Sequence, residues 1–75
     1  MNIGDNVRRA REARNMKQVE LARALGITQS MLAQIERGTK ALTMNLALCV
    51  VSVLGCSLDE LAGRQIKTKE EQENA

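Results

Sequence analysis

Apolar residues recur along most of this chain at spacings of three and four, the period of helices buried on one side. Over residues 3–14 the inward row is Ile3, Val7, Ala10 and Ala13. Over 18–25 it is Val19, Ala22 and Leu25, and Gly26 then breaks the pattern. Glycine takes the left-handed backbone of a tight helix stop without a steric cost. Thr28 is a good N-cap for a new helix over 29–37. There Leu32 and Ile35 face inward, and Gln29, Ser30, Ala33, Gln34 and Arg37 face outward, until Gly38 ends the run. Thr43 caps a helix over 43–54, which Gly55 stops. Ser57 followed three residues later by Glu60 is a capping box opening a short helix to about Leu61 or Ala62. Asn15 can take the left-handed conformation at the end of the first helix. No stretch alternates with period two, so the expected fold class is all-α with five helices.

Two short helices joined at a glycine, the second with an amide-rich outer face, make a helix-turn-helix pattern. The run Q-x-x-L-A-x-x-L-G-I-T-Q-S-x-L-x-x-I-E-R-G, from Gln18 to Gly38, resembles the DNA-binding domain of the phage repressor and Cro family, also called XRE-like. The likeness covers roughly residues 3–62. It implies a five-helix, lambda-repressor-like fold and a DNA-binding regulator of transcription. Residues 1–63 would be the DNA-binding domain, and 64–75 a polar C-terminal tail.

In this geometry the second helix of the motif enters the major groove with its N-terminal side chains against base edges. Glutamine donates and accepts at once, so it can pair in two-pronged fashion with adenine N6 and N7. Gln29 and Gln34 are therefore the expected base readers. Ser30 can bond to several bases, and the Ala33 methyl suits a thymine methyl. Met31 lies at the edge of the face, as base contact or core filler. By resemblance Gln18, at a helix N-terminus, approaches a backbone phosphate. Lys17, Arg37, Thr39 and Lys40 flank the recognition helix and should meet phosphates on either side. Lys17 stands where the family usually has a hydroxyl or amide cap, and lysine cannot accept a backbone hydrogen bond. Also by resemblance, Arg11 and Glu36 form a structural ion pair joining the first helix to the end of the third. Family members often carry a larger residue in the Ala10 slot, so Met16 or Met44 is expected to fill that volume.

The helix over 43–54 departs from ordinary amphipathic design. Met44, Ala47, Val50, Val51 and Leu54 form a stripe for the core, while Leu46, Cys49 and Val53 form a second stripe elsewhere. A second copy of the chain is the simplest cover, which makes Leu46, Cys49 and Val53 the expected homodimer interface. The alternative cover is the last helix and the tail. In that tail Ile66 is the one large apolar residue of twelve, and it is expected to be frayed unless a partner holds it.

Composition narrows the chemistry. A chain of 75 residues makes one small domain, and without proline or aromatic residues its core must be Leu, Val, Ile, Ala and Met. Residues 8–40 carry eight basic side chains against three acidic, whereas 41–75 carry three against five. The basic half contains the helix-turn-helix, as a phosphate-binding face requires. There is no histidine, and Cys49 and Cys56 are too few ligands for zinc. They read as reduced cysteines of a cytoplasmic protein. No metal or cofactor is expected. No signal peptide or membrane span is visible, and no base stands ready to activate a nucleophile. The expected partners are double-stranded operator DNA and a second copy of the chain, not a membrane. The alternative is a protein-binding module of the same fold, such as an antitoxin or adaptor.

Overall fold

The structure, a computed structural model, describes residues 3–63. Five helices follow in order: α1 (Ile3–Ala13), α2 (Gln18–Leu25), α3 (Gln29–Arg37), α4 (Met44–Leu54) and α5 (Leu58–Ala62). Residues 1–2 and 64–75, with Ile66 and the expected tail, lie outside the described residues.

Local chemistry sets the helix ends. Thr28, Thr43 and Ser57 accept hydrogen bonds from the backbone N–H of Met31, Leu46 and Glu60 at 3.0, 3.2 and 3.0 Å. α2 solves the same problem in reverse. Lys17 cannot accept, so the Glu20 carboxylate reaches back to accept from the Lys17 N–H at 2.7 Å. In α5 the serine half of the expected box forms, while the Glu60 carboxylate accepts from Arg14 Nη1 at 3.4 Å. Asn15 takes the left-handed conformation, with φ 54°. Arg14 reaches back to the Ala10 carbonyl at 2.8 Å and also donates to the Leu54 carbonyl at the end of α4.

The helices close around Val7, Ala10, Leu21, Ala22, Leu32, Ala47, Val50, Leu54, Cys56 and Leu61. Met16 packs against this core, whereas Met44, the other residue expected to fill space there, is 67% exposed. Val19 is likewise no core residue, being 41% exposed, and Leu21 is buried in its place. Two turns of helix allow either stripe, and Leu21 lies on the same side as Ala22 and Leu25. Ile3 and Ala13 are also exposed, at the two ends of α1. The buried face of α1 is Gly4, Asn6, Val7, Ala10 and Arg11. Asn6 is buried because its Nδ2 donates to the Leu61 carbonyl at 2.8 Å, tying α1 to α5.

Candidate nucleic-acid interface

α2 and α3 meet through a turn whose geometry is local. Gly26 has φ 74°, its N–H donates to the Arg23 carbonyl, and the Ile27 N–H donates to the Ala22 carbonyl at 3.0 Å. That pairing is a Schellman stop. It turns the chain within two residues and sends Ile27 against the core, so that α3 starts at once under its Thr28 cap.

Leu32, Ile35 and Glu36 form the buried side of α3. Gln29, Ser30, Gln34 and Arg37 are exposed on the other side, with the half-buried Ala33 among them and the half-buried Met31 at the margin. The polar groups that sequence reasoning assigns to bases therefore share one open helical face.

Behind that face runs a hydrogen-bonded chain of side chains. Arg11 donates through Nε to Glu36 Oε2 at 2.8 Å and through Nη2 to Oε1 at 3.1 Å. Its Nη1 donates to the Met16 carbonyl at 2.9 Å. Gln18 donates to Glu36 Oε1 at 3.1 Å and accepts from Gln29 Nε2 at 3.3 Å. The chain thus runs from the end of α1, through the buried carboxylate, to Gln29, the first residue of α3. Gln29 keeps its carbonyl oxygen and a second N–H for a ligand, the two groups an adenine edge needs. Gln18 is half-buried and spends its amide between Glu36 and Gln29. Sequence pattern gave no sign of this, because a glutamine at a helix start looks like surface.

Lys17, Arg37 and Lys40 are exposed, with Lys17 at the start of α2 and the other two at and beyond the end of α3. Thr39 is exposed too, but the structure shows it closing a loop. Its N–H and hydroxyl both donate to the Gln34 carbonyl, at 2.9 and 3.1 Å. Both of its donors are thereby used.

On α4 the buried residues are Ala47, Val50 and Leu54. The exposed side carries Met44, Asn45, Leu48, Cys49, Ser52 and Val53, and Leu46 is half-buried between the two. Leu48, 50% exposed, also lies on this side, outside the stripe of Leu46, Cys49 and Val53 that the apolar spacing picks out. Among the described residues no helix is long and apolar enough to cross a membrane.

A family model described as helix-turn-helix matches residues 7–61. An immunity repressor protein of Bacillus phage phi105 is 31% identical over 72 residues, which are 96% of this chain and 50% of that protein. The chain thus spans about half that relative's length. An HTH-type transcriptional regulator of Sinorhizobium fredii is 36% identical over 61 residues, 81% of this chain and 80% of the relative. Among solved structures, the crystal structure of the P22 c2 repressor with synthetic operator 9T matches with a TM-score of 0.77 at 23% identity, covering 87% of this chain and 98% of that one. The solution structure of that repressor's DNA-binding domain matches with a TM-score of 0.77 at 23% identity, covering 92% of each chain. Both likenesses show that the five helices adopt the same fold.

Proposed function

The chain belongs to the helix-turn-helix family of repressor-like DNA-binding transcription regulators, and on that premise we propose that it binds a palindromic operator as a homodimer. Each copy lays α3 in the major groove of one half-site, the half-sites lying about 34 Å apart. Gln29, Ser30, Ala33 and Gln34 read bases, and residues 1–63 are the DNA-binding unit. One observation carries this reading. Gln29, Ser30 and Gln34 stand open on a helix whose opposite side is held by Leu32, Ile35 and the bonded Glu36.

Lys17, Arg37 and Lys40 contact phosphates on either side, which positions the protein without reading sequence. Gln18, placed at the N-terminus of α2, also faces the backbone, and its bond to Gln29 couples phosphate position to base reading. The dimer forms through the exposed side of α4, with Cys49 and Val53 at its centre and Leu46 at its margin. α4 bears no charged side chain, so that surface has little to gain from water. Dimerisation coupled to DNA binding makes the protein's own concentration the control, as suits a phage or mobile-element repressor or the autoregulating controller of a small operon.

Selection of bound sequences from a pool of random duplexes tests the proposal. The expected product is an inverted repeat with half-sites about one helical turn apart. Gln29→Ala should then weaken binding to the selected site far more than to random DNA. A pool that yields no preferred sequence sinks the DNA-reading role. Equal losses on both DNAs remove Gln29 from base reading.

A further inference from the structure

The side chains of α3 are aimed only as well as the helix that carries them, and α1 lies directly behind that helix. Gly4, Val7 and Arg11 recur along α1 at spacings of three and four, so they share one face, and all three are buried. Val7 enters the core and Arg11 bonds the Glu36 carboxylate. Gly4 contributes no side chain at all. A β-carbon at Gly4 would lie 2.0 Å from the carbonyl oxygen of Ile35 and 2.9 Å from that of Glu36. Both oxygens are backbone atoms of the last turn of α3, so no flexible group can swing away. The two backbones touch here, with the α-carbon of one helix against a carbonyl of the other, as at other close helix crossings. Gly4 lies in the first turn of α1 and does not have a positive φ, so its backbone conformation is open to any residue. The contact, not the backbone conformation, accounts for the residue.

We infer that Gly4 is a positioning residue for base reading: by bringing no side chain, it sets how deeply the C-terminal end of α3 rests on α1, and hence the tilt of the recognition helix. The inference rests on α3 being the helix that enters the groove. Two restraints together define that tilt. Gly4 meets the backbone at Ile35 and Glu36, while Arg11 holds the Glu36 side chain, which leans back toward the start of the helix. The start of α3 is held separately, by the Gly26 turn and the Thr28 cap. A methyl group at position 4 lifts one end only. Gln34 and Arg37 are then displaced further than Gln29 and Ser30.

The test compares the wild-type chain with Gly4→Ala and with Leu61→Val, which loosens the core from α5, keeps the Leu61 carbonyl that Asn6 bonds, and changes no atom of the contact between Gly4 and Ile35. Affinity for the selected site and for random DNA is measured alongside thermal unfolding. The ratio of the two affinities should fall roughly tenfold or more in Gly4→Ala. Leu61→Val should keep the wild-type ratio even at an equal or larger loss of thermal stability. Within the site, base changes opposite Gln34 should lose more of their effect in Gly4→Ala than changes opposite Gln29. A wild-type chain with no preferred sequence defeats the DNA-reading role itself. A wild-type chain with a preference that Gly4→Ala retains in full defeats this inference alone, as does an equal fall in the ratio for Leu61→Val. A Gly4→Ala chain that does not fold at any temperature makes the contact a requirement of the fold, and also overturns it.

Discussion

Glu36 and Arg11 are 25 residues apart in sequence and are joined by two parallel hydrogen bonds, at 2.8 and 3.1 Å. Their side chains are only 3% and 10% exposed. A buried pair of this kind returns little net energy when whole, because both charges were taken out of water. Broken, it leaves a buried charge without its close opposite charge: Arg11 keeps the Met16 carbonyl and an outlying Glu12, and Glu36 keeps, among the described residues, only the Gln18 amide. Glu36→Ala or Arg11→Ala should therefore cost about 3–5 kcal/mol, measured by urea unfolding. Arg11→Met with Glu36→Leu should cost less than either single change. A loss below about 1 kcal/mol in the single variants would place the pair energetically at the surface.

The cations around α3 should show themselves through salt. Lys17→Ala, Arg37→Ala and Lys40→Ala should each flatten the log–log dependence of DNA affinity on salt by about one unit. Each should weaken selected and random sites alike. Thr39→Val should leave affinity within about twofold, since both Thr39 donors already serve the Gln34 carbonyl. A loss from Thr39→Val as large as that from Lys40→Ala would show that the hydroxyl turns to a phosphate on binding.

For the α4 surface, Val53→Asp and Leu48→Asp should each yield monomers in sedimentation equilibrium, because a carboxylate would be buried against its own symmetry copy. Labelling of the exposed Cys49 thiol should slow as the chain is concentrated. A dimer that survives both substitutions, with Cys49 equally reactive at every concentration, would put the interface elsewhere.

Cys56 differs from Cys49 in burial, and burial, reinforced by Glu60, raises its thiol pKa above the ordinary value. A thiol whose pKa is raised by folding stabilises the native chain fully below the unfolded pKa. That contribution is lost as pH climbs above about 8.5 toward the folded value, because the unfolded thiol gives up its proton first. Stability measured between pH 8 and 10 should fall more steeply for the natural chain than for Cys56→Ala. Parallel curves would show that Cys56 titrates alike in both states.

Much of the candidate site is legible from local rules. The glycine stop at Gly26, the Thr28 cap and the apolar pair Leu32 and Ile35 suffice to turn Gln29 and Gln34 outward, because each rule acts within about one helical turn. The hydrophobic pattern fails where burial is polar or has no side chain. Asn6 and Gly4 look like surface residues in any apolar count. Asn6 is buried by its bond to a carbonyl on α5, and Gly4 by the closeness of two backbones. Arg11 is legible only through family likeness, since nothing in the residue type announces a buried guanidinium.

Taken alone, the sequence determined the number and ends of the helices, the turn between α2 and α3, and the residue types offered on the outer face of α3. These depend on neighbours within a few positions. Only the tertiary structure decided that Leu21 enters the core while Val19 stays out, and that Met16 packs against the core while Met44 faces water. It also decided that Gln18 links Glu36 to Gln29. The physical reason is that a short helix with apolar residues on more than one side has several self-consistent faces. Which face is buried is settled by the shape and polar groups of helices distant in the chain.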